Sequence, residues 1–353
     1  MSSTTLIDAC ASGQTEAVER LLSAPDIDVN QTDNNGRTPL YIASENGHVS
    51  VVEQLLIAPS IDVNQKNRYG WTPLIEASHS GHLTVVERLL QVSGIDANHE
   101  ENCGCTSLIE ASRNGHTSIV ERLLRMPDIQ VNHQDCIGRT PLIVASDNGH
   151  LPVVERLLRV ESIDVNRPSD DGRTPLIEAS HNGHLPVVEC LLCMSDIQVN
   201  QKDKYGRTPL IVASDKGHAE VVERLLRMPD IQVNKASNDG CTPLYKASKN
   251  GHMTVVERLL RVEGIDVDKA NECGWTPLIE ASHNGHLTIV ERLEEWNQQR
   301  EAEEKTIKAS EEYQKLQRKI QRKKRRLDEL MAEHDKLLEH ARKKQTTNAF
   351  KNR

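Results

Sequence analysis

Through most of this 353-residue chain, apolar side chains come in two short clusters separated by polar stretches, and the pair of clusters recurs. Residues 72–90 show one period. Leu74, Ala77 and Ser78 stand at i, i+3 and i+4, one helical face, and two of the three are small. Val85, Val86, Leu89 and Leu90 form a second stripe with helical spacing. The pattern predicts two short helices, over TPLIEASHSG and HLTVVERLLQ. Thr72 is placed to cap the first, because its hydroxyl can accept from an orphan backbone N–H. Pro73 suits the first helical position, where no N–H is needed. Gly81 supplies the left-handed residue that ends the helix. Pro152 and Pro186 fall in the first turn of the second helix of two other periods, where proline is tolerated. The stretch beyond, such as PDIQVN, reads as extended and β-branched. It runs into a polar, hairpin-like turn at the next glycine.

The period is constant. Glycine followed by x-T-P-L occurs at Gly36, Gly70, Gly138, Gly172, Gly206, Gly240 and Gly274, and Gly104 opens the same motif with Ser107 in place of proline. Successive copies are 34 residues apart. A partial copy, Leu6 to Leu22, precedes them and reads as a capping unit over 1–33. Eight units then start near 34, 68, 102, 136, 170, 204, 238 and 272. One unit alone cannot bury both helices. Stacking buries the stripes in one aliphatic core, which is the logic of a solenoid.

The G-x-T-P-L, A-S, N-G-H, V-V-E-x-L-L and D-V-N elements resemble the ankyrin repeat over residues 1–293. The resemblance implies an all-α solenoid of helix-turn-helix units with β-hairpin-like fingers. It also implies protein recognition rather than chemistry. Two departures stand out. The family's usual histidine after T-P-L is replaced by Tyr41, Ile75, Ile109, Ile143, Ile177, Ile211, Tyr245 and Ile279, so the turn must rely more on apolar packing. The period is 34 against a usual 33, which lengthens the connection after the second helix. At the far end, Glu294 takes the place of Leu260, as suits a face that no further unit covers.

From Leu287 to about Lys344 there is neither glycine nor proline. The last second helix is therefore expected to run on as a rod of about 58 residues, or about 87 Å. Domain bounds follow: a solenoid over 1–293, a charged helix over 294–345, and a disordered tail over 346–353. A 3-4 seam runs through Ala302, Thr306, Ala309, Tyr313, Leu316, Ile320, Lys323, Leu327, Leu330, His334, Leu337 and Ala341. It reads as a coiled coil, for self-association or for another protein's helix. A solitary charged helix is the plainer reading.

Charge separates the same two regions. Residues 294–353 hold 17 Lys/Arg against 12 Asp/Glu, net +5, which leaves 26 basic and 40 acidic residues, net −14, in 1–293. Arg318, Lys319, Arg322, Lys323, Lys324, Arg325 and Arg326 put seven positive charges within nine residues. Such a patch fits a nuclear-import signal or nucleic acid, and equally a solvated helix face. An acidic solenoid folded onto its own basic tail is a further reading. Aromatics are 3% of the chain, too few for a base-stacking platform.

Tempting chemistry reads as structure. His48, His82, His116, His150, His184, His218, His252 and His286 occur once per unit, too far apart for one zinc ion. Cys190 and Cys193 lack a second pair, and Cys103 and Cys105 belong to a turn. The eight cysteines read as free thiols of a reducing cytoplasm, with the nucleus also open. Glu121, Glu155, Glu223 and Glu257 are expected to pair at i+4 with Arg125, Arg159, Arg227 and Arg261. No phosphate loop, nucleotide fingerprint or nucleophile–base arrangement is present, so neither an enzyme nor a cofactor is expected. No run approaches about 18 apolar residues, so no membrane insertion is expected.

The expected partner is a protein. By the resemblance, tips and first helices line the binding face. The tips offer Tyr69, Trp71, Tyr205, Arg207 and Trp275, with Arg37, Arg139 and Arg173 at equivalent positions. The first helices offer Glu76, Glu110, Glu178 and Glu280, with His79, His181 and His283 nearby. Tyr, Trp and Arg carry most interface energy, so Trp71 and Trp275 are the preferred anchors. Their plainer role is to cap the neighbouring finger.

Overall fold

A computed structural model describes residues 5–351; for residue 335 and for 337–351 the backbone alone is described. Two compact units are distinguished, Met1–Ile289 and Val290–Arg353. In the first, helices come in pairs. The first helices are α1 (Leu6–Ala11), α3 (Pro39–Glu45), α5 (Pro73–Ser80), α7 (Ser107–Arg113), α9 (Pro141–Asp147), α11 (Pro175–Asn182), α13 (Pro209–Lys216), α15 (Pro243–Lys249) and α17 (Pro277–His283). The second helices are α2 (Thr15–Leu22), α4 (Val49–Leu56), α6 (Leu83–Leu89), α8 (Thr117–Leu123), α10 (Leu151–Leu157), α12 (Leu185–Leu191), α14 (Ala219–Leu226), α16 (Met253–Leu260) and the start of α18 (Leu287–Lys351). From α1 to α16 each first helix packs on its partner and second helices stack on their neighbours, and first helices stack in turn from α1 to α17.

The caps form as the sequence requires. The threonine before each T-P-L helix accepts an N–H bond from three residues on, at 3.1–3.4 Å, in all eight units. Leu40, Leu74, Leu108, Leu142, Leu176, Leu210 and Leu244 are fully buried, as are the valine pairs of the second helices. The residues that replace the family's histidine are buried from Tyr41 to Tyr245. Only Ile279, in the last unit, is exposed, at 47%.

Three hydrogen-bond ladders tie the units together. The repeated histidines form the first. Each donates its Nε2–H at 2.9–3.2 Å to a carbonyl 37 residues earlier, near the end of the preceding first helix. Its ring lies over the preceding unit's glycine, so closely that a Cβ on Gly183 would stand 2.6 Å from His218. The second ladder uses the asparagine of D-V-N and its counterparts. From Asn30 to Asn234, each side-chain amide donates to a carbonyl 30 residues on, at 2.7–2.9 Å. Its Oδ1 accepts an N–H 32 residues on, at 2.9–3.0 Å. The third is a single backbone bond of 2.7–3.1 Å between each finger and the next, from Arg68 N–H on Asn35 to Glu272 N–H on Asp239.

The fingers are hairpin-like turns with no strand among the described residues, closed in one case by Asp33 N–H on Arg37 and Gly36 N–H on Asp33. Two expectations need correction. The connections expected to be extended are turns and irregular segments stacked by asparagine. Among the outer glutamates, Glu53, Glu121 and Glu223 reach across units, and only one of the four expected pairs along the helix, Glu223–Arg227, forms among the described residues. Glu53 pairs with Arg88 at 2.6 Å, Glu121 with Arg156, and Glu223 with Arg258 as well as Arg227. Among the described residues no ion pair joins Glu121 to Arg125, Glu155 to Arg159 or Glu257 to Arg261. At Glu121 stacking places the next unit's arginine nearer than the helix's own, whereas at Glu223 the helix's own Arg227, at 2.5 Å, is nearer than Arg258, at 3.0 Å.

The second unit is the remainder of α18. The helix extends to Lys351, and 352–353 lie outside the described residues. The same lack of glycine and proline that carries the helix to 344 holds through 351. Glu301–Lys305 and Glu304–Lys308 pair at 3.7 and 3.9 Å. The side chains of seam positions Leu337 and Ala341 lie outside those described.

Candidate functional site: the finger and first-helix face

The finger is shaped by its first residue. Asp33 Oδ1 accepts the N–H groups of Asn35 and Arg37, and Asp135 and Asp203 do the same in their own fingers. The second oxygen then takes the guanidinium four residues on: Arg37 at 2.8 Å, Arg139 at 2.9 Å and Arg207 at 2.7 Å. Where that later residue is Trp71 or Trp275, the shaping residue is the neutral Asn67 or Asn271. Each of the three aspartates thus faces an arginine, whereas Glu101, at the same place in its finger, accepts the Cys105 N–H with no cation four residues on. Three of the proposed arginine anchors are thus already paired inside their own fingers. Arg37 also reaches Glu45, and Arg173 pairs with Glu178, both at 3.0 Å.

Both tryptophans turn back onto their own unit. Trp71 meets His79 edge-on at 5.1 Å between ring centres, and Trp275 meets His283 at 4.9 Å. Each ring is half-buried. Tyr69 and Tyr205 are exposed, at 64% and 50%, and Arg207 lies over the Tyr205 ring.

The four first-helix glutamates are buried. Glu76 accepts from the Tyr41 hydroxyl and from Ser80 Oγ, and Glu280 from the Tyr245 hydroxyl at 2.5 Å. Burial, together with these carboxylates, pushes both phenols well above the usual range. Burial likewise raises Glu178, outweighing the Arg173 guanidinium beside it. Burial also opposes the charge on Glu110, but the His79 bond at 2.9 Å and nearby Arg113 outweigh it and hold the carboxyl below its ordinary value. These groups set the charge of the face from beneath it.

His79 and His181, equivalent three units apart, are driven in opposite directions. The Glu110 bond raises His79 above 6.5, whereas burial and then Lys216 and Arg173 lower His181. A raised imidazole contributes stability that is full below the unfolded value and lost as pH rises through the folded one. A depressed imidazole opposes acid: stability falls as pH drops through its unfolded value. NMR titration of the imidazoles is expected to put His79 above 6.5 and His181 below it. The reverse order would reject this pairing.

The structure gathers Tyr69, Trp71, Glu76 and His79 in one depression, which continues past Glu110 to Arg139. Arg139, Arg173, Glu178 and His181 line a neighbouring depression. Trp275, Glu280 and His283 lie units away, and Arg37, although in the adjacent finger, lines neither depression. Sequence reasoning missed Tyr41 and Tyr245, which hold the glutamates, and the asparagine-or-aspartate choice at the finger's start. That choice was visible as Asn67 and Asn271 four residues before the two tryptophans. An apolar cleft lined by Leu22, Pro25, Ile27 and Ile57 sits away from the tips. Among the described residues no group of three or more His, Cys, Asp or Glu is placed to hold a metal ion, and no helix is long and apolar enough to cross a membrane.

On α18, Tyr313, Leu316, Ile320, Leu327, Leu330 and Met331 are 47–62% exposed. The seven cations from Arg318 to Arg326 are exposed as well.

A paired-helix stack with variable fingers defines a repeat-type recognition protein. A family model described as ankyrin repeats (3 copies) matches residues 6–100, 92–169, 161–237 and 229–302. The chain belongs to the ankyrin-repeat family. Comparison with curated proteins gave no match.

Proposed function

We propose that this chain is a scaffold or adaptor that holds a protein partner against its fingers and first helices. Ankyrin repeats are generally protein–protein interaction modules. One observation carries the reading. The leucine of T-P-L and the apolar pair of the second helix recur and from α3 to α16 are buried, whereas the finger residue before T-P-L runs Arg37, Trp71, Cys105, Arg139, Arg173, Arg207, Cys241, Trp275, with only the two cysteines of that series buried. The residue eight further on varies as much. A constant core under a varied face is what selective recognition requires. The strongest anchors are Tyr69 and Trp71 with His79, where aromatic area meets a depression. Once a partner is captured with the whole chain, Trp71→Ala with Trp275→Ala should weaken it by about 2 kcal/mol or more with little change in melting temperature. Unchanged affinity in calorimetry rejects both anchors.

The exposed stripe on α18 favours a second role in self-association. Light scattering should give a dimer for the whole chain and a monomer for a 1–293 version; two monomers remove it. A nuclear or nucleic-acid role for the basic patch is the competing reading. It requires that neutralising Lys323 to Arg326 change localisation, or that binding fall steeply with salt.

A further inference from the structure

Cysteines distant in sequence meet at one place. The finger-to-finger bond from Cys136 N–H to the Cys103 carbonyl is 2.7 Å, the shortest of its ladder. The side chains meet as well, the Cys103 thiol being within hydrogen-bonding reach of the Cys136 thiol, the closeness from which a disulfide can form. Both thiols are exposed. The same two positions in a later finger pair hold Asp171 and Lys204, whose side chains close a salt bridge of 2.5 Å across the gap. Side chains at this pair of positions therefore project together, and one finger pair is already clasped there. At the Cys103 pair the two clasping groups are thiols.

We propose that Cys103 and Cys136 form a modification site, a dithiol that a peroxide-class oxidant closes into a disulfide between adjacent fingers. The inference is independent of the identity of any partner.

The Cys136 sulfur attacks one oxygen of hydrogen peroxide. The O–O bond breaks, Cys136 becomes a sulfenic acid, and the other oxygen leaves as water with the thiol proton. Cys103 sulfur then attacks the Cys136 sulfur. The S–O bond breaks and the hydroxide takes the Cys103 proton, leaving as a second water. Two thiols lose two electrons, and the peroxide gains them. Cellular thiols reverse the bond by exchange.

The order of attack follows from the surroundings. The Glu101 carboxylate, and next Cys136 itself, hold the Cys103 thiol above its ordinary value, so Cys103 keeps its proton until the second step. Cys105, two residues away, is buried, and burial pushes its thiol far up. It is therefore a poor competitor for Cys103. Cys103, Cys105 and Cys136 line the same depression as Trp71 and His79. A closed clasp fixes two fingers on the rim of that depression.

The experiment uses the native full-length chain, treated with hydrogen peroxide, blocked with N-ethylmaleimide and digested with trypsin without reduction. The peptides carrying Cys103 and Cys136 should appear as one linked species, lighter by two hydrogens than their sum, and separate again on adding dithiothreitol. In Cys136→Ser the linked species should vanish, with Cys103 recovered as maleimide adduct or sulfenic acid. Circular dichroism of the oxidised wild type should match the untreated protein, showing that linkage occurs in the folded chain. A Cys103–Cys105 bond, a Cys103 bond between copies, or over-oxidation of both thiols without a linked peptide would each overturn the proposal.

Discussion

Gly183→Ala is expected to destabilise the repeat array by about 2–4 kcal/mol, more than a surface loop glycine has any reason to cost. Two effects add. Gly183 has φ +76°, where a Cβ costs roughly 1–2 kcal/mol. The new methyl would also stand 2.6–2.9 Å from the His218 ring. That ring cannot retreat without loosening its 2.9 Å bond to the His181 carbonyl, and a buried carbonyl left without its donor costs about 1–3 kcal/mol. Gly94 is the control. Its φ is +84°, and nothing lies within 4 Å of its would-be Cβ, so Gly94→Ala should cost only the backbone portion, about 1–2 kcal/mol. Urea unfolding of the two variants decides the matter. Equal losses would show that the histidine ladder does not constrain the glycine.

The second expected result concerns one repeat position with two fates. Ile143 and Ile279 both follow T-P-L, yet Ile143 is 0% exposed and Ile279 47%. Ile143→Ala should cost about 2–5 kcal/mol, as a buried side chain leaves a cavity. Ile279→Ala should cost no more than about 1 kcal/mol. The difference measures chiefly what a following repeat contributes, because both isoleucines follow T-P-L behind the same threonine cap. Long arrays can unfold in parts. Hydrogen exchange read unit by unit is therefore the better observable, with protection lost mainly around α9 and α11 in Ile143→Ala. Comparable losses at the two sites would contradict a core built by neighbour stacking.

Most of the fold was legible from residue order. The 34-residue spacing of G-x-T-P-L, the threonine caps and the left-handed glycines are local signals, and local backbone physics obeys them wherever the chain sits. Replacement of the family histidine by isoleucine correctly implied apolar packing at the turn. The long helix after Leu287 followed from the absence of helix breakers.

The face that the fingers present was less legible. Glu76, Glu110, Glu178 and Glu280 read as surface acids because sequence gives the helical face, not what stacks over it. Tyr41 and His79 belong to the unit before the glutamates they bond, 35 and 31 residues away. Arg156 likewise reaches Glu121 of the preceding unit. The amino-acid sequence by itself determined the repeat, its helices and the apolar core. Only tertiary stacking decided which histidine meets which carbonyl, which charges are neutralised beneath the face, and that Cys136 stands beside Cys103. The reason is that each of those contacts joins groups some 30 to 37 residues apart, held together by the pitch of the stack rather than by any feature of the local chain.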